Sequence, residues 1–408
     1  MNMRHDHTKW LTHFVRDRIP EQDFPGQTEE EYLYYAGGEV DQDACAFDVL
    51  SAIIRLGGIR PGYSFRKDRT TIYGGQPAIC ATEMPLYSFA DYARSRSDSG
   101  KVSAYGIAFL KSEFYEAGGR PAIYGLSQDN IQMVRNEPTC RILPDDVLPV
   151  AEQYRYVAYN PSSTSSWIDW SHEREWRWIP QDPDKDEVWV VDHNGIMGPT
   201  PALPLFKGKL DGRPFTKVCL IVWTKEEADR VQEMLTGFYL AGSNNYGTPF
   251  DRKLIEKSKI IILSDIIASV ENGKKLEAQT IEGLEAANLI HSIKISPPPK
   301  NAAKVVENAI KLAAKAAKKA QAEFFAKHGR GNGYCGFAHA TTTDVTNPMV
   351  QYMLDKNLAA GPFDGRVWIS VPLGREQSLD YNEAGCIAAA ASLTKSLGIN
   401  VFVETRYD

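Results

Sequence analysis

The run His172-Glu173-Arg174-Glu175-Trp176-Arg177 puts two acids, three basic side chains and an indole into six consecutive positions. Read as a strand, it turns Glu173 and Glu175 to one face and Arg174 and Trp176 to the other. Trp167, Trp170 and Trp178 stand close by in sequence. Aromatic walls lower the local dielectric and can stack on a planar ligand. They also raise the pKa of a neighbouring carboxyl, while the same Trp-rich run reads equally well as core. The plainer reading is ion pairing of Glu173 and Glu175 with Arg174, Arg177 or Lys185, which is worth little at a surface.

Two other patches carry polar groups within apolar runs. Thr12-His13-Phe14 precedes a helix that ends in Gly57-Gly58-Ile59-Arg60. His13 reads there as a ligand-facing group or as a satisfied core histidine. Ile79 to Leu86, followed by Tyr87, holds Cys80 and Glu83; Tyr105 to Phe109 and Gly119 to Tyr124 come later. Glu83, close to Pro85, either supports a site from behind or bonds a loop backbone. Gly74-Gly75 follows Tyr73 with no helix behind it, which disfavours a phosphate loop. The eight His are dispersed and show no paired helical spacing, so no metal site is expected. Six scattered Cys form no CxxC pair, which fits reduced thiols.

The elements that must position these groups form an α+β chain. A length of 408 residues argues for two domains, and 43% hydrophobic with 24% charged residues excludes wholesale disorder. Lys and Arg number 46 against 52 Asp and Glu, so the whole molecule is no basic glove for nucleic acid. The opening residues lack a signal-type apolar run and no 18-residue apolar stretch follows, so a cytoplasmic protein with no membrane partner is expected. Asp43 to Gly57 reads as an amphipathic helix, and many short strands follow. From about 217 the pattern is strand (218–223), helix (226–238), strand (259–264).

Ser296-Pro297-Pro298-Pro299 marks a boundary, because three prolines cannot continue a helix or join a central strand. The domains expected are therefore 1–295 (core 10–200, α/β extension 215–275), a Pro-rich linker with an Ala/Lys helix at 296–330, and a small α/β module at 331–408. In the linker helix, Val306, Ala309, Ala313, Ala317, Ala320 and Phe324 share one side and lysines the other. Its small Ala residues bury little area, so weak docking is expected. The tail reads as a βαβ-type module: strand 333–343, helix from Asn347-Pro348, strand 366–371, a helix opened by an Asp380/Glu383 capping box, and strand 400–405. His339 and Cys335 on one of its strands read as core or rim residues, not a catalytic pair.

Thr12-His13-Phe14, Leu50 to Gly58, Cys80 to Leu86, Tyr105 to Phe109 and Glu173 to Arg177 together resemble the AbiGi-like abortive-infection family of bacterial phage defence. More distantly they are similar to DarT-type proteins with the ADP-ribosyltransferase fold. The resemblance covers roughly 10–200 and leaves out the tail. It implies split, strongly bent small sheets holding NAD as substrate in a cleft. His13 would hold the nicotinamide-side ribose, Tyr105 or Tyr87 would stack on nicotinamide, and Glu83 would assist. Glu175, helped by Glu173 and paired with Arg177, would stabilise the oxocarbenium. The function so implied is an ADP-ribosyltransferase-like protein or NAD glycohydrolase of phage–host conflict, acting on a protein or nucleic-acid target or held by a neutralising protein partner. A second reading follows from the antitoxin side of the same lineage: a non-catalytic interaction protein, antitoxin or phage sensor, that retains the fold. The state of Glu175 separates the two, since a carboxylate clamped by a bidentate Arg serves structure.

Overall fold

A computed structural model describes residues 8–19, 43–66, 69–83, 105–127, 131–162, 168–182, 184–191, 197–207, 215–244, 246, 248–271, 284, 290–293, 298–329, 334–363, 366–374 and 376–407. Contacts divide the chain into two units, Met1–Val231 with Tyr246–Ile293, and Gln232–Asn245 with Lys294–Asp408. Both contain helices and strands, so the α+β reading holds at that level. Among the described residues no helix is long and apolar enough to cross a membrane.

The first unit is built on one eight-stranded sheet. Its strands are β1 (Trp10–Val15), β2 (Ile79–Thr82), β3 (Tyr105–Leu110), β4 (Arg120–Pro121), β5 (Glu175–Trp178), β6 (Val218–Val222), β7 (Lys259–Ile262) and β8 (Ile290–Ser292). They lie in the order β8-β7-β6-β3-β1-β2-β5-β4. The sheet is continuous where the resemblance implied separate small sheets, yet its two halves meet narrowly. β1 pairs with β3 along six residues but with β2 only at Thr12↔Thr82. The expected α/β extension is part of this same sheet: β6, helix α3 (Lys225–Ala241) and β7 form a crossover whose strands pair in parallel. All five residues of β6 are buried, as befits a strand covered on both faces.

Helix α1 (Ala46–Leu56) follows the expected apolar spacing, burying Phe47, Val49, Leu50 and Ile54. Gly57 ends it at φ 76°, with its N–H on the Ile53 and Ile54 carbonyls. A side chain could not stand there, because a Cβ would lie 2.4 Å from the Phe250 ring. Helix α2 (Lys111–Glu116) packs Phe114 on Phe109, ring centroids 4.9 Å apart. Helix α4 (Leu263–Glu271) adds Leu263 and Ile266 to the core around Trp10, Ala108 and Ile221.

The second unit takes in the part of α3 from Gln232 onward. Its other elements are helix α5 (Ala302–His328), β9 (Gly336–Thr342), α6 (Pro348–Asp355), β10 (Ala359–Phe363), β11 (Arg366–Ile369), α7 (Leu379–Leu397) and β12 (Phe402–Tyr407). Its sheet runs β10-β11-β9-β12, and every ladder is antiparallel. This corrects the βαβ-type expectation. β9 and β10 do run parallel around α6, but β11 inserts between them, giving a split βαβ. The sequence pattern hides β10, since Gly361 and Pro362 argue against a strand. The Asp380/Glu383 capping box is also corrected: Ser378 is the N-cap, its hydroxyl accepting from the Tyr381 N–H.

Helix α5 is no linker. Val306, Ala309, Ala313 and Ala317 are buried in one core with Val350, Met353, Ala389, Ala390 and Leu393. The small residues that argued for weak docking instead allow close approach of α5 and α7. Gln321 of α5 lies against Gly385 of α7, where a Cβ would stand 2.8 Å away, and bonds both backbone groups of Gly374. Lys304, Lys311, Lys315, Lys318 and Lys319 are exposed, as the spacing predicts. Ala313→Leu is therefore expected to destabilise by about 1–3 kcal/mol through overpacking. Lys315→Ala should stay within about 0.5 kcal/mol of the parent. Chemical denaturation of the full chain distinguishes them, and equal midpoints would refute this packing.

Candidate functional site

Arg177 of β5 is 3% exposed and its partner Glu175, two residues earlier on the same strand, is 13% exposed. The guanidinium Nε donates to Glu175 Oε1 at 2.9 Å and Nη2 to Oε2 at 3.3 Å, a bidentate clamp. Nη1 donates to the carbonyls of Tyr154 and Tyr156 at 2.8 and 3.1 Å. Burial opposes the charge on Arg177, but Glu175, with Cys80 and Tyr124 nearby, outweighs it and holds the guanidinium protonated more firmly than usual. The Glu175 carboxylate thus points at a buried partner.

Register brings further groups to this face. Glu175 stands opposite Thr82 and Arg177 opposite Cys80. Burial pushes the Cys80 thiol well up, and the Glu175 and Glu173 carboxylates push it further, so it is no ready nucleophile. Tyr124 accepts the Glu175 N–H at its hydroxyl, and burial raises its pKa too. Glu173 does not lie on the strand. Ser171–Glu173 is a turn of 3-10 helix and Arg174 has φ 46°, so the alternation assumed for Glu173 and Glu175 is broken. The Glu173 carbonyl instead accepts from the Thr82 hydroxyl. Of the Trp-rich run, read as core or ligand wall, Trp178 is core. Trp178 alternates to the other face, where its Nε1 donates to the Ala117 carbonyl, and Trp170 sits beside His172 with centroids 6.0 Å apart. Trp167 lies outside the described residues.

His13 belongs to the opposite face of the sheet. Thr12, Thr82 and Glu175 form one cross-strand row, so His13 and Glu175 alternate to opposite sides. Their backbones are two strand spacings apart, about 10 Å, but the sheet itself separates the side chains. The His13 Nδ1–H donates to the Cys80 carbonyl at 2.8 Å, and burial depresses the imidazole pKa. On that same face Glu83 receives Lys111 at 2.6 Å and the Trp176 indole at 3.2 Å. The Tyr105 hydroxyl donates to Glu227 Oε1 at 2.6 Å, while Glu227 Oε2 accepts from the Trp223 and Thr224 N–H groups. Tyr105 is thereby tethered beside Phe47, ring centroids 6.1 Å apart. Tyr87 lies outside the described residues.

The structure therefore brings Glu173, Glu175 and Arg177 together with Cys80 and Tyr124, and leaves His13, Glu83 and Tyr105 across the sheet. Cys80 and Tyr124 were missed as members of this cluster. Only the i, i+2 spacing of Glu175 and Arg177 signalled it, since the rest depends on strand register. Chemically, the cluster holds a buried cation by one carboxylate and two carbonyls. No protein-family model, curated protein or solved structure matches the chain.

Two outcomes follow. Glu175→Gln removes the countercharge and leaves Arg177 buried, which should cost about 3 kcal/mol. A Glu175→Gln/Arg177→Met pair should recover part of it, and thermal melts showing no loss in the single variant would refute the clamp. The depressed His13 pKa means the unfolded chain binds more protons below about pH 6.5, so stability contributed by neutral His13 is lost as pH falls from 7 to 5. His13→Asn, which can keep a donor toward the Cys80 carbonyl, should flatten that part of the melting-temperature profile.

Proposed function

We propose that this chain is a non-catalytic interaction protein of phage–host conflict, an antitoxin or sensor that keeps an ADP-ribosyltransferase-like scaffold without consuming NAD. The bidentate Glu175–Arg177 pair carries this reading. An oxocarbenium needs a carboxylate aimed at an open cleft, and here both carboxylate oxygens are engaged by a guanidinium that is itself buried. The separation of His13 and Glu175 onto opposite faces supports the same reading, because a ribose cannot bridge a sheet. Tyr105, tied to Glu227, lacks the freedom to close over a nicotinamide ring. What such a scaffold retains is a rigid display of loops and edges for a protein or nucleic-acid partner.

The test is NAD labelled in the nicotinamide and adenylate halves, incubated with the full chain and with lysate from infected and uninfected cells. The expected result is no nicotinamide release above the protein-free blank and no transfer of adenylate label. Release that persists in wild type and drops at least tenfold in Glu173→Gln, with an unchanged melt, would overturn the reading. The half-buried Glu173 would then be the working acid of an NAD-consuming enzyme.

A further inference from the structure

The face of the second sheet that turns away from α5, α6 and α7 is unlike the helix-covered one. Ala340, Val367 and Ile369 enter the core with the helices. By alternation, Phe337, His339 and Thr341 of β9, Arg366 and Trp368 of β11, and Phe402, Glu404 and Arg406 of β12 share the other face. Register sets Phe337 opposite Arg406, His339 opposite Glu404, and Thr341 opposite both Phe402 and Trp368. Phe337 is 47% exposed and Phe402 38%, which is uncommon for phenylalanine within a strand.

The central pair on this face is held in place. His339 and Trp368 stack with centroids 4.4 Å apart and planes within 10°. Glu404 fixes the indole by accepting from Trp368 Nε1 at 3.0 Å, and it also receives Arg366 at 2.7 Å and the Thr341 hydroxyl at 3.3 Å. Partial burial would raise the Glu404 pKa, but these donors outweigh it and hold the carboxyl below its usual range. Beside this pair the sheet opens. β11 pairs with β9 only at Ala340 to Thr342. The remaining edge of β9 borders a cavity of about 460 Å³ lined by Ala338, His339, Trp368, Val371, Leu373 and Cys386.

We infer that this face binds single-stranded nucleic acid. Aromatic side chains on the central strands of a four-stranded antiparallel sheet are the arrangement on which unpaired bases stack. Phe337 and His339 are about 7 Å apart along β9, which leaves room for one base on each. The cavity next to the His339–Trp368 stack takes a base turned out of line, and exposed Arg406 meets the phosphates. Charge on the face itself favours this occupant over an apolar peptide: among its described strand residues Arg366 and Arg406 stand against the single carboxylate of Glu404. The inference concerns a different unit from the Glu175–Arg177 pair and stands whether or not that pair proves catalytic.

The test is fluorescence anisotropy of the full chain with labelled mixed-sequence 12-nucleotide RNA, the matching DNA, and a duplex of the same length, at two salt concentrations. Single strands should bind at least tenfold tighter than duplex, and the RNA and DNA arms show which is preferred. Phe337→Ala with Phe402→Ala, both exposed and so expected to melt as wild type, should weaken binding about tenfold or more. Arg406→Glu should weaken it and reduce the salt dependence. No binding of either single strand, equal binding of duplex, or unaffected aromatic variants would overturn the inference. So would a protein partner lost on the same variants in a chain that binds no oligonucleotide.

Discussion

A guanidinium enclosed by protein must find acceptors for its donors, because an uncompensated buried charge costs several kcal/mol. In the first unit that demand falls on Arg177. Its acceptors come from β5 itself, through Glu175, and from the carbonyls of Tyr154 and Tyr156. The latter segment is fixed in turn by parallel pairing of Tyr156–Val157 with Ile123–Tyr124, and the Tyr124 hydroxyl takes the N–H of Glu175. One charge thereby joins the outer strands of the sheet to the layer of tyrosines packed on them. The same demand decides the orientation of Glu175, which faces inward as a countercharge.

Alternation along β1 is the second constraint. Trp10 and Thr12 face the side that carries Cys80 and Glu175, while Leu11 and His13 face the other. A side chain cannot change faces without a bulge or a turn. The αL residue Arg174 supplies such a break just before β5, which is why Glu173 approaches Cys80 and Glu175 from the turn and not along the strand. The single pairing at Thr12↔Thr82 leaves the junction of the two half-sheets thin. The core around Trp10, Ala108 and Ile221 and the tyrosine layer at Arg177 are therefore two separate packing regions of one sheet.

These constraints explain what was legible in the chain. Helix α1, the β6–α3–β7 crossover and the apolar stripe of α5 follow from periodicity within a few turns, which is local information. The proximity of Glu175 and Arg177 was likewise local. Membership of Cys80 and Tyr124 was not, because it depends on which strands pair and in what register. The break at Arg174 escaped because a bulky residue at positive φ carries no sequence signal of its own. Strand β10 escaped because Gly361 and Pro362 are tolerated at a sheet edge, and edge position is a tertiary property. Buried area alone underrates the docking of α5. Small side chains lose area but gain closeness, and dispersion rises steeply as backbones approach.

Charge is distributed between the two parts of the sequence in a way that composition alone conceals. Residues 1–293 hold 32 Lys and Arg against 42 Asp and Glu, and the positive excess lies wholly beyond them. That excess sits on α5, where six Lys stand against two Glu on the helix-covered side of the second sheet, so affinity at the open face cannot rest on total charge. On the open face of the second sheet, Arg366 is already neutralised by Glu404, and Arg406 remains as the exposed cation. Stacking on Phe337, Phe402 and the His339–Trp368 pair must then supply most of the binding energy. Base stacking tolerates any sequence because every base has a π-face. Such a surface selects for unpaired strands and not for a particular order of bases, and any finer discrimination falls to the cavity beside His339 and Trp368, whose walls alone can read a base edge.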